Sequence, residues 1–98
     1  RGSDVIEGVM NRGIYVTPKG NLESGFEDLR WWEESYQGMS VPDEIISRWN
    51  SIGTAEDCVD SIEPFVDAGV DTMIVCIRAK DPFEQVRRIA EEVIPAFG

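Results

Sequence analysis

Ninety-eight residues with a formal net charge of −10 amount to one small domain whose surface repels nucleic-acid phosphates and anionic membranes alike. The absence of histidine excludes Ser-His-Asp triads and Cys/His zinc sites within the chain. The two cysteines, Cys58 and Cys76, stand in no metal-like spacing and make no disulfide framework.

Hydrophobic content of 42% with 29% charged residues is an ordinary globular balance rather than a disordered one. The longest apolar run, Met73–Ile77, falls far short of the ~20 residues of a membrane-spanning helix. No secretory signal is visible at the start, so a cytoplasmic setting is expected.

In chain order, Val5, Ile6, Val9 and Met10 share one side of a helix drawn over Asp4 to about Tyr15. Thr17–Asn21, with Pro18 and Gly20, is a turn. Phe26, Leu29, Trp32 and Tyr36 recur at three or four and predict a helix to Gln37, stopped by Gly38. Pro42 opens a short helix over Asp43 to about Arg48.

The C-terminal half is more regular. Trp49–Gly53 reads as a short strand running into Thr54. Thr54 and Asp57 form a capping-box start, followed by the stripe Cys58, Val59, Ile62, Phe65, Val66. Pro64 should kink the last turn, and Gly69 with Val70 fits a Schellman end. Asp71–Ile77 is a nearly continuous apolar, β-branched run, the pattern of a strand buried on both faces. After a polar loop at Arg78–Lys80, Asp81 at the N-cap, Pro82 at N1 and Glu84 at N3 start a helix that carries Phe83, Val86, Ile89, Ala90 and Val93 and stops at Pro95.

Strand, helix, strand, helix with tight loops demands parallel strands and a right-handed crossover. Two parallel strands leave backbone groups and helix stripes without partners. The fold class expected is therefore α/β, with residues 50–98 as the last two βα units of a (β/α)8 barrel and residues 1–49 as a helical or insertion segment. A whole barrel takes about 250 residues, and a piece of one should self-associate or rearrange.

The stretch Val41–Cys58 resembles the segment before and into strand seven of the luciferase-like oxidoreductases. Val66–Val70 with Asp71 resembles their turn into strand eight, and Asp81-Pro82 with Arg87–Pro95 their closing helix. The likeness covers about 41–97 well and 4–20 loosely, and 21–40 falls where the family carries variable insertions. Each motif is weak alone; their order and spacing are specific at superfamily level.

The pair Arg48-Trp49 resembles the deazaflavin-dependent glucose-6-phosphate dehydrogenase branch, in which the matching arginine helps to bind the sugar phosphate. No clear lysine matches that branch's second phosphate ligand. The resemblance implies coenzyme F-420 or FMN and hydride transfer or oxygen activation at the C-terminal mouth of the barrel; a homo-oligomer is expected from the unpaired strands. It assigns no catalytic residue and no metal to this chain, and it implies that the chain alone holds no coenzyme.

Arg48 is the first substrate-binding candidate, because a guanidinium meets phosphate or carboxylate with two parallel hydrogen bonds; its plain alternative is an ion pair with Glu44 one turn back. Gly53 and Thr54 offer free amides at a helix start, suited to an anion or coenzyme phosphate, or simply cap that helix. Arg78 and Lys80 follow the second strand, where barrel enzymes place their sites; they face either a coenzyme tail or solvent. Trp31, Trp32 and Tyr36 line a substrate mouth or a subunit contact, with at least one in the core. Two further readings stand beside the first: an FMN-dependent monooxygenase, and a non-catalytic α/β assembly module pairing through exposed strand edges.

Overall fold

The computed structural model describes residues 5–6, 8–18 and 21–97. A two-residue strand β1 (Val5–Ile6) turns at Gly8 (φ 85°) into the longest strand, β2 (Val9–Val16). Helix α1 (Leu22–Trp32) continues as a wider π-helical turn over Glu33–Gln37 and stops at left-handed Gly38. Helix α2 (Asp43–Trp49) leads directly into β3 (Asn50–Gly53), which is followed by α3 (Ala55–Asp67), β4 (Thr72–Cys76) and α4 (Pro82–Arg88). The last helix continues as a π turn over Ile89–Val93 and a 3-10 turn over Ile94–Phe97.

Among the described residues the sheet has four strands: three parallel ones, with β2 in the middle, and the short antiparallel β1. Residues 13–16 of β2 pair with β3 and residues 9–13 with β4, while β1 pairs antiparallel with Val9 and Met10. Gly13 pairs with both Asn50 and Cys76, so β3 and β4 lie on opposite edges of β2. Consecutive barrel strands pair with each other directly; here β2 separates them, as in an open doubly wound sheet.

The expected helix over Asp4–Tyr15 is corrected to strand. Val9–Val16 supplies the neighbour that β3 and β4 both lack. The short 3–4 spacing of Val5, Ile6, Val9 and Met10 is outweighed by burial on two faces. Asp4, together with Lys19 and Gly20 of the expected turn, lies outside the described residues.

Alternation along β2 divides the core. Ile14 and Val16 face Cys58 and Ile62 of α3, with Ile89 and Val93 beyond α4; Met73 and Val75 pack against the same cluster. Tyr15 and Ile52 face the other side, against Leu29, Val41 and Ile46, with Phe26 and Ile45 packed around them. Helices thus cover both faces of the sheet at β2 and β3. Strand β4, expected to be buried on both faces, is covered on one only: Met73 and Val75 pack inward and Ile74 on the other face stands 54% exposed, because no helix among the described residues reaches over it. Burying a side chain such as Ile46, fully enclosed, contributes roughly 1.5–3 kcal/mol.

Local signals hold well in the C-terminal half. The capping box is closed by Asp57 N–H on Thr54 Oγ1 and Thr54 N–H on Asp57 Oδ2, both at 3.1 Å. Gly69 (φ 111°) ends α3 in a Schellman motif, with Val70 N–H on the Phe65 carbonyl at 3.0 Å and Gly69 N–H on Val66 at 3.1 Å. Asp81 accepts from Glu84 N–H at 3.1 Å and opens α4. Gly25 lets α1 approach the sheet closely, since a Cβ there would lie 2.9 Å from Thr17 Cγ2 and 3.1 Å from Ile52 Cγ2.

Among the described residues no helix is long and apolar enough to cross a membrane.

Candidate functional site

A cavity of about 470 Å³ lies over the middle of β2, on the α1 and α2 side, beside the carboxyl end of β4. Gly13, Arg48, Cys76, Arg78, Trp32 and Glu33 are among the residues that line it. Four separate elements deliver them. Arg48 comes from the last turn of α2, Arg78 from the loop after β4, and Trp32 and Glu33 from the junction where α1 widens into its π turn.

Among the described residues none of the cavity's three arginines pairs with a carboxylate, and the guanidinium groups of two of them make no hydrogen bond. Arg48 is exposed, and among the described residues it forms no ion pair; its expected partner Glu44 is not engaged with it. Arg78 is half-buried, with its guanidinium carbon 5.4 Å from the Trp32 ring centroid. That stacking holds the cation in place while leaving its N–H edge available. The third, Arg12, is spent on structure. It donates to Ser51 Oγ at 3.0 Å and to the Arg48 carbonyl at 3.0 Å, and stacks on Phe65 at 5.1 Å. Burial lowers its pKa, because a charged form is disfavoured away from water.

Next to Gly13, but outside the cavity lining, one buried polar atom is unsatisfied among the described residues. Asn50 is 4% exposed. Its Nδ2 donates to the Ile46 carbonyl at 2.8 Å, which fixes the amide orientation, because the reverse would set two oxygens against each other. Its Oδ1 then has no partner among the described residues. That oxygen sits over Gly13: a Cβ added to Gly13 would lie 1.8 Å from it and 3.3 Å from Arg78 Nη1. Glu33, 6% exposed, brings a carboxylate to the same cavity and takes part in no ion pair or side-chain hydrogen bond there.

The remaining candidates fall elsewhere. Lys80 is exposed and its ammonium lies 5.3 Å from the Trp31 ring centroid, outside the cavity lining. Its backbone N–H donates to Asp28 Oδ1 at 3.0 Å, and Asp28 also accepts from the Tyr15 hydroxyl. Gly53 and Thr54 stand away from the cavity, and the Thr54 amide and hydroxyl are engaged with Asp57. The carboxylate already occupies the place an anion would take. Trp31, Trp32 and Tyr36 form one aromatic group, with Tyr36 at 5.9 Å from Trp31 and 5.3 Å from Trp32. Only Trp32 of the three lines the cavity.

Cys58 is inert packing, as its place on the α3 stripe implies. It is fully buried, its thiol lies 3.4 Å from the Ser51 carbonyl, and burial pushes its pKa up to about 12. Cys76 is half-buried and opens onto the cavity.

Sequence reasoning missed Gly13, Glu33 and Asn50. Gly13 was legible in part, since an isolated glycine within a strand marks close approach of another group; drawing Asp4–Tyr15 as helix hid it. Glu33 also left a trace. It continues the buried spacing of Gly25 and Leu29, an acidic residue where the apolar stripe should run on. Asn50 left none, because its role depends on a strand partner far away in the chain.

Among the described residues no group of three or more His, Cys, Asp or Glu could hold a metal ion. No protein-family model, curated protein or solved structure matches the chain.

Proposed function

We propose that this chain is the C-terminal part of a cytoplasmic luciferase-like oxidoreductase, in which Arg48 holds the anionic group of a small organic substrate. The observation that carries this reading is that Arg48, in the last turn of α2, and Arg78, in the loop after β4, both stand without a carboxylate partner among the described residues of a chain rich in carboxylates. A guanidinium left unpaired beside a cavity is suited to a phosphate or carboxylate. The order of motifs from Val41 to Pro95 and the parallel β3-α3-β4-α4 connectivity support the parentage.

In this reading the intact protein is a (β/α)8 barrel in which β3 and β4 pair directly. A piece with few strands leaves their edges open, and β2 fills the place between them. The helix start at Gly53-Thr54 is closed by Asp57, which argues for placing the coenzyme outside this chain. Coenzyme F-420 or FMN is then held by the rest of the barrel and supplies the hydride chemistry. This chain's part is to bind and orient the substrate anion.

The test is a fluorescence titration of the intact protein with each coenzyme; binding of neither sinks the reading. Arg48→Ala should raise KM for a phosphorylated substrate roughly tenfold or more, the loss of a charge-assisted hydrogen bond. The absorption spectrum of the purified intact protein separates F-420 from FMN and so tests the monooxygenase alternative.

A second reading, a non-catalytic assembly module, is favoured by the outer edge of β4, on which no strand pairs among the described residues and from which Ile74 stands 54% exposed. A discrete oligomer by size-exclusion chromatography, without coenzyme affinity, supports that reading instead.

A further inference from the structure

We infer that the last helix, α4 with its π and 3-10 continuation, is the contact face of a two-fold dimer, packing antiparallel against the same helix of a second copy about Ala90. The inference is independent of any coenzyme or substrate, and it uses a different surface from the open edge of β4.

This helix carries more apolar side chain than its own core covers. Ile89 and Val93 are buried against the sheet and α3. Phe83 stands 85% exposed and Ile94 56% exposed, and Val86, Ala90 and Phe97 are exposed as well. Spaced three, four, four and three residues apart, these five fall on one flank of the helix. The flank continues beyond the helix itself: Ile94 and Phe97, with Met73 and Val75 of β4, line an apolar hollow of about 300 Å³. Single exposed apolar residues are ordinary on a protein surface, whereas an aligned row that runs into a hollow marks a contact face.

Two features select a second copy of this chain as the occupant. The first is the spacing, which reads the same in both directions. With Ala90 on a two-fold axis and the helices antiparallel, Phe83 meets Phe97 of the second copy and Val86 meets its Ile94. The two alanines meet at the crossing, where small side chains let the helices approach closely. The second feature is charge. Arg87 and Arg88 precede Ala90, and Glu91 and Glu92 follow it. Antiparallel packing sets the basic turn of each helix beside the acidic turn of the other, whereas parallel packing would set like against like. Arg87 already pairs with Glu84 at 2.7 Å and with Glu91 at 3.0 Å on its own helix, so the second copy extends an existing network. Copies of a chain with net charge −10 repel one another in general, and only a locally matched face brings them together.

Light scattering across a dilution series measures the mass of the chain and of Phe83→Glu. Wild type should run at twice the chain mass and dissociate on dilution. Phe83→Glu should stay at the single-chain mass at concentrations where wild type is dimeric, with an unchanged far-UV spectrum. In a Cys76→Ser background, Ala90→Cys should form an intermolecular disulfide on mild oxidation, because the axis holds the two thiols together; Cys58 is buried and does not compete. Ile74→Cys in the same background should not. A wild type that is monomeric throughout overturns the inference. A dimer cross-linked through Ile74→Cys and not through Ala90→Cys also overturns it and assigns association to the β4 edge. Equal cross-linking by both, or by neither, overturns it as well. The comparison of the two cysteines does not depend on whether Phe83→Glu folds.

Discussion

Gln85 of α4 presents both ends of its side-chain amide to the backbone of Val16. Its Oε1 accepts from Val16 N–H at 2.8 Å, and its Nε2 donates to the Val16 carbonyl at 3.0 Å. Strand β4 ends opposite Gly13, so among the described residues no strand pairs with the last residues of β2 on that edge. The Gln85 amide takes the place of the missing strand there, at 4% exposure. Arg88 Nη1 adds a second donor to the same carbonyl at 3.1 Å.

Gln85→Leu should therefore destabilise the fold by about 1–3 kcal/mol, since it leaves the buried Val16 N–H without a partner. Urea unfolding is the check. The midpoint should fall with the slope unchanged, and an unaltered midpoint would show that the clamp contributes nothing.

The placement of β2 between β3 and β4 is testable by chemistry. Asn11 and Ile74 are paired neighbours on β2 and β4, and both are exposed. Asn11→Cys with Ile74→Cys, in a Cys76→Ser background, should form an intramolecular disulfide on mild oxidation, because adjacent strands hold Cα atoms within the 4.4–6.8 Å such a bond needs. Mass spectrometry of the oxidised chain reads the result. In a longer barrel, where β3 and β4 pair directly, the same two cysteines should remain apart.

Gly13→Ala forces a methyl group onto Asn50 Oδ1, 1.8 Å from the ideal Cβ position. Overpacking of this kind costs roughly 1–3 kcal/mol. Asn50→Ala in the same chain should recover part of the loss, so a double-mutant cycle should give a coupling of at least about 0.5 kcal/mol. Additive effects would show that the two residues are not in contact.

Stability should fall in alkali through Cys58. Its folded pKa of about 12 lies above the ordinary 9.0, so below pH 9 both states hold the proton and nothing is lost. As pH rises from about 9 towards 12 the unfolded thiol ionises and the folded one does not, and unfolding becomes progressively easier. The Tyr15 hydroxyl, raised by burial and by its hydrogen bond to Asp28, acts in the same direction. Comparing wild type with Cys58→Ala isolates the thiol. The gap in unfolding free energy between the two should narrow between pH 9 and 12, and a constant gap refutes it.

The local grammar of the chain was sufficient for the C-terminal half. Thr54 with Asp57, Gly69 with Val70 and Asp81 with Pro82 each make hydrogen bonds within a few residues, so type and position alone decide them. The β-branched run at Thr72–Cys76 and the stripe of α3 likewise require only a partner of the right kind. Which partner was another matter. Val9–Val16 carries spacing compatible with either helix or strand, and what makes it the central strand is the pair of open edges on β3 and β4. The cavity has the same origin. Arg48 and Arg78 were legible as charged residues near element ends, but Gly13 and Glu33 join them only because β2 and α1 are brought together by packing. Short-range bonds are encoded where they occur; contacts between distant segments exist only once burial of both sheet faces has set the strand order.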